Sequence, residues 1–228
     1  MQRQELVNSQ PVESEVIIET RELSRVYPGV VALDNVNYRV YRNKVNVLIG
    51  ENGAGKSTMM KMLAGVETPS SGQIILDGVP VTLSSTHQAE KQGISIIFQE
   101  LNLFPNMNVM DNIFMANEFF QKGKINEKYQ YELAKKLLER LELNVDPYTQ
   151  LGELGIGHQQ LVEIARALSK DTRVLIMDEP TSALSQSEVK ILFNVIEQLK
   201  RRGVTIIYIS HRLEELMEIG DHITIFRD

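Results

Sequence analysis

Short runs of apolar, mostly β-branched residues punctuate the chain at Val16–Ile18, Val45–Ile49, Ile74–Leu76, Ile94–Phe98, Val174–Met177, Val204–Ile209 and Ile223–Phe226. Runs such as VLIM and VTIIYI do not alternate with polar residues. That predicts strands buried on both faces, as in a parallel sheet flanked by helices, and so an α/β fold. From about Leu101 to Ala167 the pattern changes. Asn102–Asn108 reads as a loop containing Pro105, and YQYELAKKLLERLEL places Leu133, Leu137, Leu138 and Leu141 at helical spacing with charges between them. Strands resume near Val174, so residues 101–167 read as a helical subdomain inserted into the sheet. Residues 1–15 are polar, free of aromatics and interrupted by Pro11, which predicts a flexible tail. At the other end, Ile223–Phe226 reads as a strand in an edge hairpin, followed by only Arg227 and Asp228. A chain that stops so soon after a strand predicts a piece of a longer polypeptide.

Composition narrows the classes. Across 228 residues, 24 Lys+Arg face 30 Asp+Glu for a net charge of −6, with 43% hydrophobic and 24% charged residues. These are globular values and exclude a disordered or fibrous chain. The absence of cysteine removes disulfides, thiolate metal sites and a cysteine nucleophile. No apolar run approaches the roughly 20 residues that span a bilayer, so a role at a membrane requires a partner. A mildly acidic chain without Trp points away from nucleic acid.

Two stretches carry chemistry. Gly50-Glu51-Asn52-Gly53-Ala54-Gly55-Lys56-Ser57 fits G-x-x-x-x-G-K-[ST], after the strand VNVLI and before the helix-like TMMKMLAG. Its glycines let backbone N–H groups turn around an anionic phosphate, and the following helix N-terminus adds partial positive charge. Lys56 offers a mobile charge for β- and γ-phosphates, and the Ser57 hydroxyl can ligate Mg²⁺. Met59, Met60 and Met62 then read as core packing behind the loop. The second stretch, Val174–Met177 followed by Asp178 and Glu179, is an apolar strand that delivers two carboxylates at its end, where open α/β sheets bind ligands. Alone, such a pair also fits a helix cap or solvated turn. Beside a phosphate loop, Asp178 suits Mg²⁺ and Glu179 suits proton acceptance from an attacking water.

Further elements follow in a fixed order. Gln99 closes ISIIFQ before the insertion, Leu154-Gly155-Ile156-Gly157-His158-Gln159-Gln160 precedes the acidic strand, Ser182–Ser185 follows it, and His211 closes VTIIYIS. In this order the sequence resembles the ATP-binding cassette ATPases of membrane transporters, from about Val16 to Asp228. GENGAGKSTMMKMLAG, HQQLVEIARALS, IMDEPTSAL and YISHRLEELMEIGDHITIFRD look like the first cassette of tandem ATPases in ribose-, galactose- or xylose-type importers.

The resemblance implies a P-loop NTPase core with an N-terminal antiparallel β part. It implies that ATP is held by Gly50, Glu51, Asn52, Gly53, Ala54, Gly55, Lys56, Ser57 and Thr58, with Mg²⁺ near Ser57, Gln99 and Asp178. Gln99, Glu179, His211 and Lys56 would be the catalytic set. Tyr27, in RVYPGVVALDNV, would stack on adenine, although an aromatic before Pro-Gly also fits simple turn packing. The implied partners are a second cassette, transmembrane permease subunits and, indirectly, a periplasmic or extracellular sugar-binding protein, at the cytoplasmic face of the inner membrane.

The departures lie in the signature segment, where the family has Leu-Ser-Gly-Gly-Gln and this chain has Gly155, Ile156 and His158 in place of Ser, Gly and Gln. Gly155 lacks the hydroxyl that meets the opposite cassette's nucleotide. Gly157 and the start of the next helix are expected to offer backbone N–H groups instead. An ATP-dependent binding switch with negligible hydrolysis is the alternative reading for the isolated half. A DNA-repair or translation cassette would need a coiled-coil insertion or basic arms, and a nucleotide kinase would leave the signature and His211 unexplained.

Overall fold

The computed structural model describes residues 15–51, 53–121 and 123–227. In chain order the first elements are β1 (Val16–Tyr27), β2 (Val30–Tyr41), β3 (Val45–Gly50), α1 (Lys56–Leu63), β4 (Ser71–Leu76), β5 (Val79–Val81), α2 (Thr86–Lys91) and β6 (Ile94–Ile97). Then come α3 (Val109–Phe114), β7 (Phe120–Gln121), β8 (Lys124–Ile125), α4 (Glu127–Arg140) and α5 (Ile156–Leu168). The last are β9 (Val174–Asp178), α6 (Gln186–Arg201), β10 (Thr205–Ile209), α7 (Leu213–Ile219) and β11 (His222–Phe226).

Two larger sheets organise the molecule. One is parallel, in the order β11-β3-β10-β9-β6. Its apolar runs serve both faces. Val45, Val47, Leu175, Met177, Ile206 and Tyr208 join a core with α3 to α7. Leu48, Val174, Ile176, Ile207 and Ile209 join a second core with α1, α2 and the other sheet. Continuous hydrophobicity is the consequence of covering both sides of a pleated strand.

The other sheet is antiparallel, in the order β2-β1-β4-β5. The sequence pattern resolves only Val16–Ile18 of β1 and none of β2, because register shifts near Thr20–Leu23 and Leu23–Val26 break the period-2 alternation. Met59, Met60 and Met62 are fully buried between this sheet and the parallel one, as core packing predicts.

The C-terminal strand corrects one expectation. It forms no hairpin: β11 lies parallel to β3, with His222 beside Asn46 and Phe226 beside Gly50. The α7 crossover returns the chain to the same sheet end, and as an edge strand β11 leaves Ile223 and Ile225 exposed. At the start of β11 the half-buried His222 ring meets Tyr41 edge-on at 4.4 Å.

Between β6 and β9, α3 and α4 pack on α5, and α5 also packs on β6. Leu137, Leu138 and Leu141 are buried there, with Leu133 packed at the margin. A two-stranded ribbon, β7–β8, interrupts these helices. Among the described residues no helix is long and apolar enough to cross a membrane.

Candidate functional site

Parallel register brings the chemistry-bearing residues to one sheet edge. Leu48 of β3 lies beside Ile209 of β10, and Ile209 lies beside Asp178 of β9. Ile97 of β6 lies beside Met177. The segments leaving these strands, which carry Gly50–Ser57, His211, Glu179 and Gln99, therefore emerge at the same C-terminal edge, where a parallel sheet opens to a ligand.

The Gly50–Ser57 loop is closed by its own lysine. Lys56 Nζ donates to the carbonyls of Gly50 at 2.7 Å and Glu51 at 2.8 Å. Two of the glycines are sterically required. A Cβ on Gly50 would lie 2.6 Å from the Phe226 carbonyl oxygen. Gly55 has φ +86°, and a Cβ there would lie 2.5 Å from both the Ala32 oxygen and Leu33 Cδ2. Strand β2 of the antiparallel sheet thus presses directly on the loop. Gly55 caps α1 without a side-chain hydrogen bond, leaving first-turn N–H groups to an incoming anion. Glu51 and Gly53 are exposed, while Ala54 and Thr58 are half-buried; Asn52 lies outside the described residues.

Across the edge, Asp178 is partly buried, and its carboxyl is raised above the usual range. Burial is the main cause, with the neighbouring Glu179 charge adding to it; the Ser57 hydroxyl, Lys56 and Lys61 pull the other way. A hard oxygen pair, Ser57 and Asp178, beside an undercompensated negative charge fits Mg²⁺. Glu179 holds a left-handed backbone, φ 48°, unusual for a non-glycine residue and more so before proline. Its N–H donates to the Ile209 carbonyl at 3.0 Å, and its Oε1 lies 3.2 Å from His211 Nδ1. Gln99 is exposed just past the end of β6.

The remaining candidates stand apart. Tyr27 ends β1, with the Arg25 guanidinium 4.8 Å over its ring and its hydroxyl donated to Glu67. One ring face is therefore already covered. Gly155 is the N-cap of α5, exposed, with nothing within 4 Å of a Cβ placed on it. Gly157 corrects an expectation, because its N–H is not free: it donates to Glu188 Oε1 at 3.1 Å. The reason is the first turn of α6, which swings that carboxylate onto the start of α5.

The family profile for ABC transporters matches residues 33–182. The chain belongs to the ABC transporter family. It is 51% identical over 217 residues to the xylose import ATP-binding protein XylG of Thermoanaerobacter pseudethanolicus, covering 94% of this chain and 43% of that protein. It is 46% identical over 212 residues to the ribose import ATP-binding protein RbsA 1 of Rubrobacter xylanophilus, covering 93% and 42%. With the L-arabinose transport protein AraG of Geobacillus stearothermophilus the identity is 46% over 217 residues, covering 94% and 42%. The chain spans less than half the length of these curated relatives. Among solved structures, the ATP-binding cassette MJ1267 in its ADP conformation superposes with TM-score 0.80 at 27% identity, covering 92% of this chain and 87% of that one. A dimeric ADP- and phosphate-bound cassette, MJ0796, shares the fold with TM-score 0.78 at 22% identity.

For this ABC transporter chain, the architecture is that of a P-loop ATPase cassette. Several contacts at its site were not anticipated from the sequence. Glu188 was legible in principle, since Ser185-x-x-Glu188 is a capping-box pattern, and both reciprocal bonds form. The packing of Ala32 and Leu33 on Gly55, and the hydroxyls behind Glu179 and His211, carry no local signal.

Proposed function

We propose that this chain is an ATP-binding and ATP-hydrolysing cassette that powers monosaccharide import through a membrane permease. One observation carries the reading: Glu179 and His211 meet at 3.2 Å on the sheet edge that also holds the lysine-closed loop and Asp178. The names of its relatives, importers of xylose and ribose, support the substrate class.

In this reading Lys56 leaves the Gly50 and Glu51 carbonyls for the β- and γ-phosphates, while loop N–H groups from Gly50 to Thr58 cradle them. Ser57 and Asp178 would hold Mg²⁺, with Gln99 reaching from the end of β6. Mg²⁺ bound there would supply charge neutralisation for the phosphates. Glu179 accepts the proton of the attacking water, and His211, exposed on its outer side, contacts the γ-phosphate. Catalysis is then mainly positioning. Tyr27 offers its uncovered face to adenine. The elements around 101–167 form the helical subdomain that grips the permease, which keeps the chain peripheral on the cytoplasmic face of the inner membrane. A sugar-binding protein outside acts through the permease, and the partner cassette is a second copy or a second cassette of the same polypeptide.

The Gly157–Glu188 bond favours a second reading, in which the isolated chain binds ATP but turns it over negligibly. Turnover measured with and without a partner cassette separates the two. For the main reading, the test is the light-scattering mass of the Glu179→Gln protein. We expect a dimer with Mg-ATP and a monomer without it, together with lost hydrolysis; undiminished hydrolysis removes Glu179 as the base.

A further inference from the structure

Behind the Glu179–His211 pair lies a carboxylate that the proposed chemistry does not use. Glu215, in the first turn of α7, is 6% exposed. Its Oε2 accepts from Thr181 Oγ1 at 2.9 Å, from the Tyr208 hydroxyl at 2.9 Å and from Ser210 Oγ at 2.8 Å. Its Oε1 takes Arg212 Nη1 at 3.2 Å. The donors are not scattered. Thr181 follows Glu179 across Pro180, and Ser210 directly precedes His211. Tyr208 is fully buried on β10, and burial pushes its hydroxyl far up, so it stays protonated and donating.

We propose that Glu215 is a positioning residue that sets the distance between Glu179 and His211. One carboxylate oxygen ties the loop after β9 to the loop after β10, each through a single hydroxyl. Proline limits the backbone between Thr181 and Glu179, so an anchored Thr181 restricts where Glu179 can go. The left-handed conformation of Glu179 is costly, and such a residue persists only where its surroundings over-determine it. The Thr181–Glu215 bond and the Glu179 N–H to Ile209 bond supply that determination from both sides. On the other loop, Ser210 Oγ also accepts the Arg212 N–H at 3.1 Å, bracketing His211.

This inference rests on the reading of Glu179 and His211 as the hydrolytic pair, so its test includes an arm that needs no turnover. In Glu215→Gln, the His211 ring NMR signal, assigned by its loss in His211→Gln, should move in nucleotide-free protein. In hydrolysis, kcat should fall about 10-fold or more while KM for Mg-ATP stays within about 2-fold. Docking rests mainly on the Gly50–Thr58 loop, to which Glu215 makes no bond among the described residues, whereas misplacement disturbs the reacting geometry. Thr181→Val and Ser210→Ala should each reproduce part of both changes, and their double variant serves if Glu215→Gln does not fold. An unmoved His211 signal overturns the proposal. So does a parallel loss of kcat, KM and melting temperature, which marks a structural role alone. Turnover unaffected by Glu179→Gln would instead sink the parent reading, leaving the NMR arm to decide Glu215.

Discussion

The backbone N–H of Gly157 donates to Glu188 Oε1 at 3.1 Å, joining the start of α5 to the first turn of α6. The other oxygen of that carboxylate accepts the Ser185 hydroxyl at 2.6 Å and the Ser185 N–H at 2.8 Å. Those Ser185 bonds, more than the one from Gly157, hold Glu188 below the usual carboxylate range. The Gly157 N–H is therefore already paired with a carboxylate of its own chain.

Glu188→Ala should loosen that clamp. Losing the Glu188 half of the capping box, with the Ser185 cap kept, is expected to lower stability by about 0.5 kcal/mol, visible in thermal melts. In a Glu179→Gln background the same change should strengthen the Mg-ATP-dependent dimer in light scattering. A weaker dimer would mean that Glu188 shapes the signature segment and does not block it.

Gly155→Ser asks whether the missing hydroxyl limits pairing. The site has a helix N-cap backbone, φ −61° and ψ 156°, and open space around a Cβ. A serine there should stabilise α5 by a few tenths of a kcal/mol, about the usual gain over glycine at an N-cap. Turnover of the paired cassette should rise. Unchanged turnover would show that the backbone alone meets the opposing nucleotide.

Lys56→Ala should spare the fold, since its partners are two loop carbonyls near the surface. ATP affinity by calorimetry should drop roughly 10- to 100-fold, the range for losing charge-assisted hydrogen bonds of about 1.5–3 kcal/mol. An unchanged affinity would remove Lys56 from the phosphate site.

Glu163 on α5 gives a pH signature. Its Oε1 accepts the Asn102 N–H at 3.2 Å, but Oε2 is buried without a partner. Burial pushes its carboxyl up to about 7, despite the Asn102 bond and the Arg166 charge. The folded state thus holds a proton that the unfolded chain releases near the ordinary value of 4.5. Stability from this group is present at acid pH and declines as pH rises from about 4.5 to about 7, by up to about 3 kcal/mol. Glu163→Gln keeps an acceptor for Asn102 and removes the titration. Its melting temperature relative to the natural protein should be higher at pH 8 than at pH 5; a constant difference would place Glu163 in contact with water.

Local features were legible for a simple reason. The Gly50–Ser57 loop and the VLIMDE strand are contiguous, and the spacing of their residues is itself the chemistry. The central parallel strands β9 and β10 were legible because burial on both faces leaves few polar positions. β1 and β2 were not, because bulges spoil their alternation. The hairpin expected at Ile223–Phe226 failed because sequence cannot say which strand a crossover returns to; pairing with β3 is settled by the whole sheet.

From the sequence alone came the α/β class, the phosphate loop, the acidic strand end, the order of the family's elements and the altered signature segment. Tertiary structure decided what those residues touch. Ala32 and Leu33 make Gly55 obligatory, Glu188 occupies the Gly157 N–H, and Glu215 gathers hydroxyls from both loops around Glu179 and His211. These pairs are distant or indirect along the chain. The Glu215 bonds reach both loops only because the parallel strands β9 and β10 end in register, and register is a property of the packed sheet, not of any segment within it.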